Sequence, residues 1–161
     1  MTVAYIGIGS NAGDARAHVL QALQELAQLP ETRLEARSAL YRSAPVDAPG
    51  QADYVNAAAG LDTELSAAQL LGALQDLEGR HGRERPYPNA PRTLDLDLLL
   101  YGTQSIDGPA LRVPHPRLQQ RAFVLRPLLD IDPTLTAPGL GSLAGWLDAT
   151  REQRLQRIED S

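Results

Sequence analysis

Thr93-Leu94-Asp95-Leu96-Asp97-Leu98-Leu99-Leu100-Tyr101 is the stretch on which the fold turns. Leucines at 94, 96, 98 and 100 recur with period two, so one face of an extended strand is apolar. Asp95 and Asp97 project together from the other face, roughly 7 Å apart along the backbone. Two carboxylates held side by side repel unless cations occupy the gap. Hard cations prefer oxygen ligands, and Mg²⁺ typically takes one or two carboxylates together with substrate phosphates. Two ions about 3.5–4 Å apart can be bridged by such a pair.

Working outward, Ser66 opens a helix with Gln69 three residues on, a capping-box pattern, and Leu70, Leu71, Leu74 and Leu77 form its stripe. Tyr54 to Asp62 reads as a strand with Tyr54 and Asn56 on one face. Arg33 to Arg42 alternates, with Leu34, Ala36, Ser38 and Leu40 on one side. Asp14 to Leu29 carries Val19, Leu20, Leu23, Leu26 and Leu29 at helical spacing and stops at Pro30. Val3 to Gly9 alternates again. The order is β-α-β-β-α-β, which predicts an α+β, ferredoxin-like core with an antiparallel sheet. Beyond it, Pro114-His115-Pro116 is expected to be extended. Arg121 to Ile131 reads as a short helix interrupted by Pro127, and Ser142–Leu147 and Thr150–Ile158 as two additional C-terminal helices. Without repeats, low-complexity tracts or a linker, residues 1–161 are expected to form one domain.

Composition narrows the function. The chain has 161 residues, of which 43% are hydrophobic, and no cysteine. Thiolate nucleophiles and Cys-ligated metals are thereby excluded. With no apolar run near the ~18 residues of a membrane span and no signal-peptide start, a cytoplasmic protein is expected. All 15 basic residues are arginine. The absence of lysine excludes a Walker A loop, Schiff-base chemistry and the protein-kinase strand lysine. Eight arginines against four acids between Arg80 and Arg126 make that segment +4, and the rest of the chain −9. A local basic field on an acidic protein suits a small polyanion such as a nucleotide; nucleic acid and membrane surfaces are not expected partners.

Gly7-Ile8-Gly9-Ser10-Asn11-Ala12 formally fits a dinucleotide fingerprint. No acid closes the second strand, however, and no crossover helix leads to the third, so a tight turn with close strand–helix packing accounts better for the glycines. Val113-Pro114-His115-Pro116-Arg117, followed by Arg121-Ala122-Phe123, holds a histidine between prolines near two arginines. His18 and His81 look ordinary, and no two histidines have metal-ligand spacing.

Taken together, Ala4-Tyr5-Ile6-Gly7-Ile8-Gly9-Ser10-Asn11, Asp53-Tyr54-Val55-Asn56-Ala57-Ala58, Pro91-Arg92-Thr93-Leu94-Asp95-Leu96-Asp97, Val113-Pro114-His115 and Arg121-Ala122-Phe123 resemble the 6-hydroxymethyl-7,8-dihydropterin pyrophosphokinases of folate biosynthesis. The resemblance implies transfer of pyrophosphate from ATP to the pterin hydroxymethyl group with release of AMP, by a monomer. It implies that Asp95 and Asp97 bind two Mg²⁺ ions and, with Arg83 and Arg92, carry catalysis. Gln75, Glu78, Arg83, Arg85, Arg92, Leu98, His115 and Arg121 match ATP contacts. Tyr54, Asn56 and Phe123 match a pterin pocket in which two rings sandwich the substrate, and Ser43, Ala44 and Val46 the loop that closes over it. Gly79 to Pro91 is expected to act as a lid, with Tyr87 in place of the family's usual tryptophan, and Pro116 stands where an aromatic is common. A ferredoxin-like RNA-binding module would need an aromatic basic sheet face, which seven aromatics and an acidic bulk do not supply. A non-catalytic nucleotide-binding sensor domain of the same fold would bind ligand and turn nothing over.

Overall fold

β1 (Thr2–Ser10) and β4 (Tyr54–Thr63) pair antiparallel along their whole lengths, from Thr2 opposite Thr63 to Ser10 opposite Val55. The computed structural model describes residues 1–44, 53–81 and 94–158. Between these central strands, α1 (Ala15–Leu26) is capped by the Asp14 carboxylate, which accepts from Ala17 N–H at 3.1 Å. After β2 (Thr32–Arg37) and β3 (Tyr41–Ser43), the chain returns through β4 into α2 (Ala67–Arg80), whose expected Ser66/Gln69 capping box is present in both directions. β5 (Asp95–Tyr101) then pairs antiparallel with the other edge of β1. The strand order β10 (Leu155–Arg157)-β3-β4-β1-β5, with β2 beside β4, is that of the expected ferredoxin-like sheet.

Two cores divide on the sheet. Ala4, Ile6, Ile8, Ala57, Ala59, Leu61, Leu94, Leu96 and Leu98 face α1 and α2, where they meet Val19, Leu23, Leu26, Leu70, Leu74 and Leu77. On the opposite face, Ala58, Leu99 and Leu100 pack with Val124, Leu125 and Leu128 of α3 (Ala122–Ile131). The α3 helix continues through Pro127, which is buried within it, rather than being interrupted there.

The expected register of β5 holds only to Leu98. The pairing passes from Ile6 opposite Leu98 to Tyr5 opposite Leu100, so Leu99 is an extra residue in the strand. Past this bulge the parity inverts: Leu100 faces α3 instead of joining Leu94, Leu96 and Leu98.

The expected strand Arg33–Arg42 is likewise split. Ser38 leaves the ladder, its N–H donating to Ala58 O at 2.9 Å while its Oγ accepts from Ala58 N–H at 2.8 Å. A hydroxyl thus replaces one backbone carbonyl, and the buried positions change from Ser38 and Leu40 to Tyr41 and Ser43.

Downstream, the short hairpin of β6 (Ile106–Asp107) and β7 (Arg112–Val113) leads to a cis Val113–Pro114 bond and a 3-10 turn at Leu118–Gln120. A second hairpin, β8 (Thr136–Ala137) with β9 (Gly141–Ser142), follows α3 and precedes α4 (Leu143–Leu147). Thr150–Ile158 is not the expected helix. It begins as the end of a 3-10 turn and continues as β10 (Leu155–Arg157), paired with β3, because that edge offers an open ladder: Leu155 lies opposite Ser43, and Ile158 N–H donates to Leu40 O at 2.8 Å.

His18 and His81, 63 residues apart, meet with their Nδ1 atoms 3.0 Å apart, and His81 Nε2 donates to Glu25 Oε1 at 2.5 Å. This chain of polar contacts ties the C-terminal end of α2 to α1, and Gly79 and Arg80 remain helical rather than opening a loop. No group of three or more metal-ligating side chains occurs among the described residues. None of their helices is long and apolar enough to cross a membrane.

Tyr41, turned towards α3 by the parity change, donates its hydroxyl to Asp130 Oδ2 at 2.6 Å. Burial, then this hydrogen bond and the Asp130 charge, push the phenol up to about 12 from its ordinary 10.0. The folded state therefore keeps a proton that the unfolded chain loses, and stability falls as pH rises from 10 to about 12. Tyr41→Phe is expected to cost about 1–2 kcal/mol at neutral pH and to flatten stability across that alkaline window, measured by urea unfolding at several pH values.

Candidate active site

The Gly7 and Gly9 positions of β1 are not in a turn. They lie within the strand, on the face opposite α1 and α2, and each clears room for a neighbouring strand's side chain. A Cβ at Gly7 would come within 3.3 Å of Leu99 Cδ1, and one at Gly9 within 3.2 Å of Asn56 Nδ2. The glycine pattern therefore encodes a furrow across the sheet rather than a nucleotide loop.

The ladder registers arrange the candidate residues around this furrow. Asn56 and Asp95 both sit opposite Gly9, and Asp97 sits opposite Gly7. Directly opposed residues share a face, so Asn56 and the two carboxylates project to the same side. Two strand spacings separate Asn56 from Asp95, about 10 Å. Ser43 lies opposite Tyr54 on β3, and its hydroxyl donates to Asn56 Oδ1 at 2.6 Å. That bond engages the carbonyl end of the amide and turns Nδ2 towards Gly9. Ala44 is exposed just past β3.

The Leu99 bulge supplies the next member. Its carbonyl accepts from His115 N–H at 3.0 Å, which carries the segment after Pro114 to the carboxylate end of β5. His115 Nδ1 in turn accepts from Arg117 N–H at 3.3 Å. The proton of the neutral ring is therefore on Nε2. Burial pushes this imidazole below its ordinary 6.5, the charges of Arg121 and Arg117 push the same way, and Asp97 opposes them. The net result is a neutral ring with one N–H donor. Arg121, at the start of α3, places its guanidinium 5.4 Å from the centre of the Phe123 ring.

Three expected ATP contacts stand apart from this face. Glu78 Oε2 accepts from Leu96 N–H at 2.9 Å, so it braces β5 from α2, while Gln75 is exposed on the same helix. Leu98 is 4% exposed and packs towards α1 and α2. Its side chain belongs to the core. Arg83, Arg85, Arg92 and Val46 lie outside the described residues, as do residues 82–91 of the expected Gly79–Pro91 lid, Tyr87 among them.

The described residues form an antiparallel α+β sheet with a furrow bounded by a carboxylate pair and an amide, and comparison with known proteins gives its class, a phosphotransferase. The chain belongs to the 7,8-dihydro-6-hydroxymethylpterin-pyrophosphokinase (HPPK) family, whose sequence profile matches residues 5–133. It is 45% identical over 154 residues to the 2-amino-4-hydroxy-6-hydroxymethyldihydropteridine pyrophosphokinase of Pseudomonas aeruginosa, covering 96% of this chain and 95% of that protein. The Haemophilus influenzae protein of the same name is 42% identical, with 86% of each chain covered. Among solved structures, Plasmodium falciparum HPPK-DHPS with pterin and p-hydroxybenzoate superposes with a TM-score of 0.71 over 98% of this chain. At 12% identity that likeness is one of fold, and this chain spans 45% of the longer one. The chain transfers pyrophosphate from ATP to 6-hydroxymethyl-7,8-dihydropterin in folate biosynthesis. The sensor-domain and RNA-binding alternatives are not favoured.

Gly9→Ala is expected to lower stability by about 1 kcal/mol and to shift the Asn56 side-chain amide resonances, because the new methyl presses on Nδ2. Gly72→Ala, which meets nothing within 4 Å in α2, should instead raise stability by about 0.5–1 kcal/mol. Thermal denaturation and NMR of the two variants check the contrast.

Proposed function

We propose that the face bearing Gly7 and Gly9 is where the transfer takes place, with the pterin on the β3–β4 side of the furrow and the triphosphate on the β5 side. The observation that carries this is the common face of Asn56, Asp95 and Asp97 across two glycines. Tyr54 and Phe123 offer flat apolar surfaces to the pterin rings, and Asn56 Nδ2 offers donors to their polar edge. Ser43 fixes the orientation of that amide, and Ala44 and Val46 adjoin it in sequence.

Asp95 and Asp97 fit two Mg²⁺ ions on chemical grounds. They are hard oxygen donors, only partly buried, and they project to the same face of β5. Bound there, Mg²⁺ would neutralise phosphate charge and make the attacking hydroxyl easier to deprotonate. His115, whose Nδ1 accepts from Arg117 N–H, donates through Nε2–H to a phosphate oxygen. Arg121 contributes fixed positive charge, and Arg83, Arg85 and Arg92 are the further candidates for it. Glu78 holds the backbone between the two aspartates through Leu96 N–H, so the carboxylates keep their spacing.

In the reaction, the pterin hydroxymethyl oxygen forms a bond to the β-phosphorus while the bond from that phosphorus to the α,β-bridging oxygen breaks. AMP leaves with the bridging oxygen, and the proton of the attacking hydroxyl passes to water. Charge spreads over the equatorial oxygens of the transferred group, and preorganised donors there lower the barrier.

Incubation with Mg²⁺, ATP and the reduced hydroxymethylpterin is expected to yield AMP; formation of ADP would contradict the proposed step. Asp95→Asn or Asp97→Asn should reduce turnover by about 10³-fold or more, some ~4 kcal/mol of transition-state stabilisation, with an unchanged melting curve. Near-normal turnover of either variant at saturating Mg²⁺ would remove the metal assignment. Phe123→Ala should weaken pterin binding by about tenfold or more and leave Mg-ATP affinity nearly unaltered by calorimetry. Equal losses for both ligands would mark the ring as packing alone.

A further inference from the structure

We infer that Gln153 is a positioning residue for the transfer: its side-chain amide clamps the backbone on both sides of Arg121 and fixes how Arg121 and Phe123 are presented. Gln153 lies in the C-terminal segment, between the Asp148–Thr150 turn and β10. Its Oε1 accepts from Ala122 N–H at 2.8 Å, and its Nε2 donates to the Gln120 carbonyl at 2.7 Å. In an extended residue, the preceding C=O and the following N–H point to the same side. Arg121 is extended, with φ −124° and ψ 112°. The Gln153 amide therefore takes the place of one peptide unit in a neighbouring strand.

Both groups that it satisfies are helix-terminal. Ala122 N–H is the first amide of α3, and Gln120 closes the Leu118–Gln120 turn, so neither is used within its own helix in the ordinary way. Arg121, the N-cap residue, makes no side-chain cap of its own. The clamp is anchored from behind: Gln153 N–H donates to Thr150 O at 2.9 Å, and buried Thr150 donates its hydroxyl to Leu147 O at 2.8 Å.

Gln153 itself is exposed, so its two hydrogen bonds add little to global stability. Their consequence is directional. The backbone at residue 121 determines where the guanidinium and the Phe123 ring, already in contact with each other, point. A loss of direction at such a hinge is felt in ligand positioning before it is felt in unfolding. The inference rests on the reading of Arg121 and Phe123 as ligand-facing residues.

The test compares Gln153→Ala and Gln153→Glu with Arg121→Ala and Phe123→Ala in steady-state kinetics, substrate binding and thermal melts. Gln153→Ala should raise KM for the pterin by about tenfold, reduce kcat by a smaller factor and leave the melting temperature within a few degrees. Gln153→Glu keeps an acceptor for Ala122 N–H, but its carboxylate cannot donate to Gln120 O. Its activity relative to wild type should therefore recover only as pH falls from about 7 towards about 4, the ordinary glutamate range, where the acid form regains a donor. A residue that only stabilises the fold would show neither the KM effect nor this pH-dependent rescue. If Arg121→Ala and Phe123→Ala impair ligand binding while Gln153→Ala keeps both constants within about twofold of wild type, the clamp is overturned and the site assignment stands. If Arg121→Ala and Phe123→Ala are themselves silent, the site assignment fails and takes the clamp with it.

Discussion

The carbonyl of Leu99 accepts the amide hydrogen of His115, and that bond brings His115 to the polar face that the ladder registers lay out. It exists because β5 carries one residue more than β1 can pair with. An edge strand tolerates such a bulge because only one ladder is interrupted. Before it, β5 directs Asp95 and Asp97 to the furrow and Leu94, Leu96 and Leu98 to the helices. After it, Leu100 joins the second core with α3. A single extra residue thus allows one strand to serve a polar face and two apolar cores.

Gly7 is the counterpart of that bulge. The Leu99 side chain lies where a Cβ at position 7 would press, just as Asn56 lies where one at position 9 would. The furrow is a packing device before it is a binding device: bare backbone on the central strand permits large or polar neighbours to lean inward from both sides. Its polar occupants are fixed by short local bonds. Ser43 orients Asn56, Arg117 sets the tautomer of His115, and Glu78 holds Leu96. Each is a second residue constraining a first, and such constraints hold the polar face in one arrangement.

The C-terminal segment takes part in this organisation from a distance. β10 extends the sheet beyond β3, the strand that supplies Ser43, and the residues just before β10 reach back to the start of α3. Elements remote in sequence from the carboxylates therefore govern the geometry of the opposite wall. The same holds at α2, where His81 and Glu25 join its end to α1 immediately before the arginine-rich segment begins.

The strand and helix order, the capping box at Ser66 and the shared face of Asp95 and Asp97 were legible in the sequence, because each depends on periodicity or on residues within a few positions of one another. The family resemblance, too, needed only short contiguous motifs. Other features depend on who lies across the ladder, and no local pattern records that. Leu100 continues the period-two run but faces the other way, since the bulge is defined only by pairing with β1. Thr150–Ile158 has no strong strand pattern, yet becomes strand where β3 leaves an open edge. Gly7 and Gly9 look like a loop motif until Leu99 and Asn56 are seen above them. Sequence by itself determined the order of the core elements and the faces that local periodicity sets, such as the shared face of Asp95 and Asp97. Tertiary structure alone decided their facing and their second partners, because both are set by contacts between residues tens of positions apart.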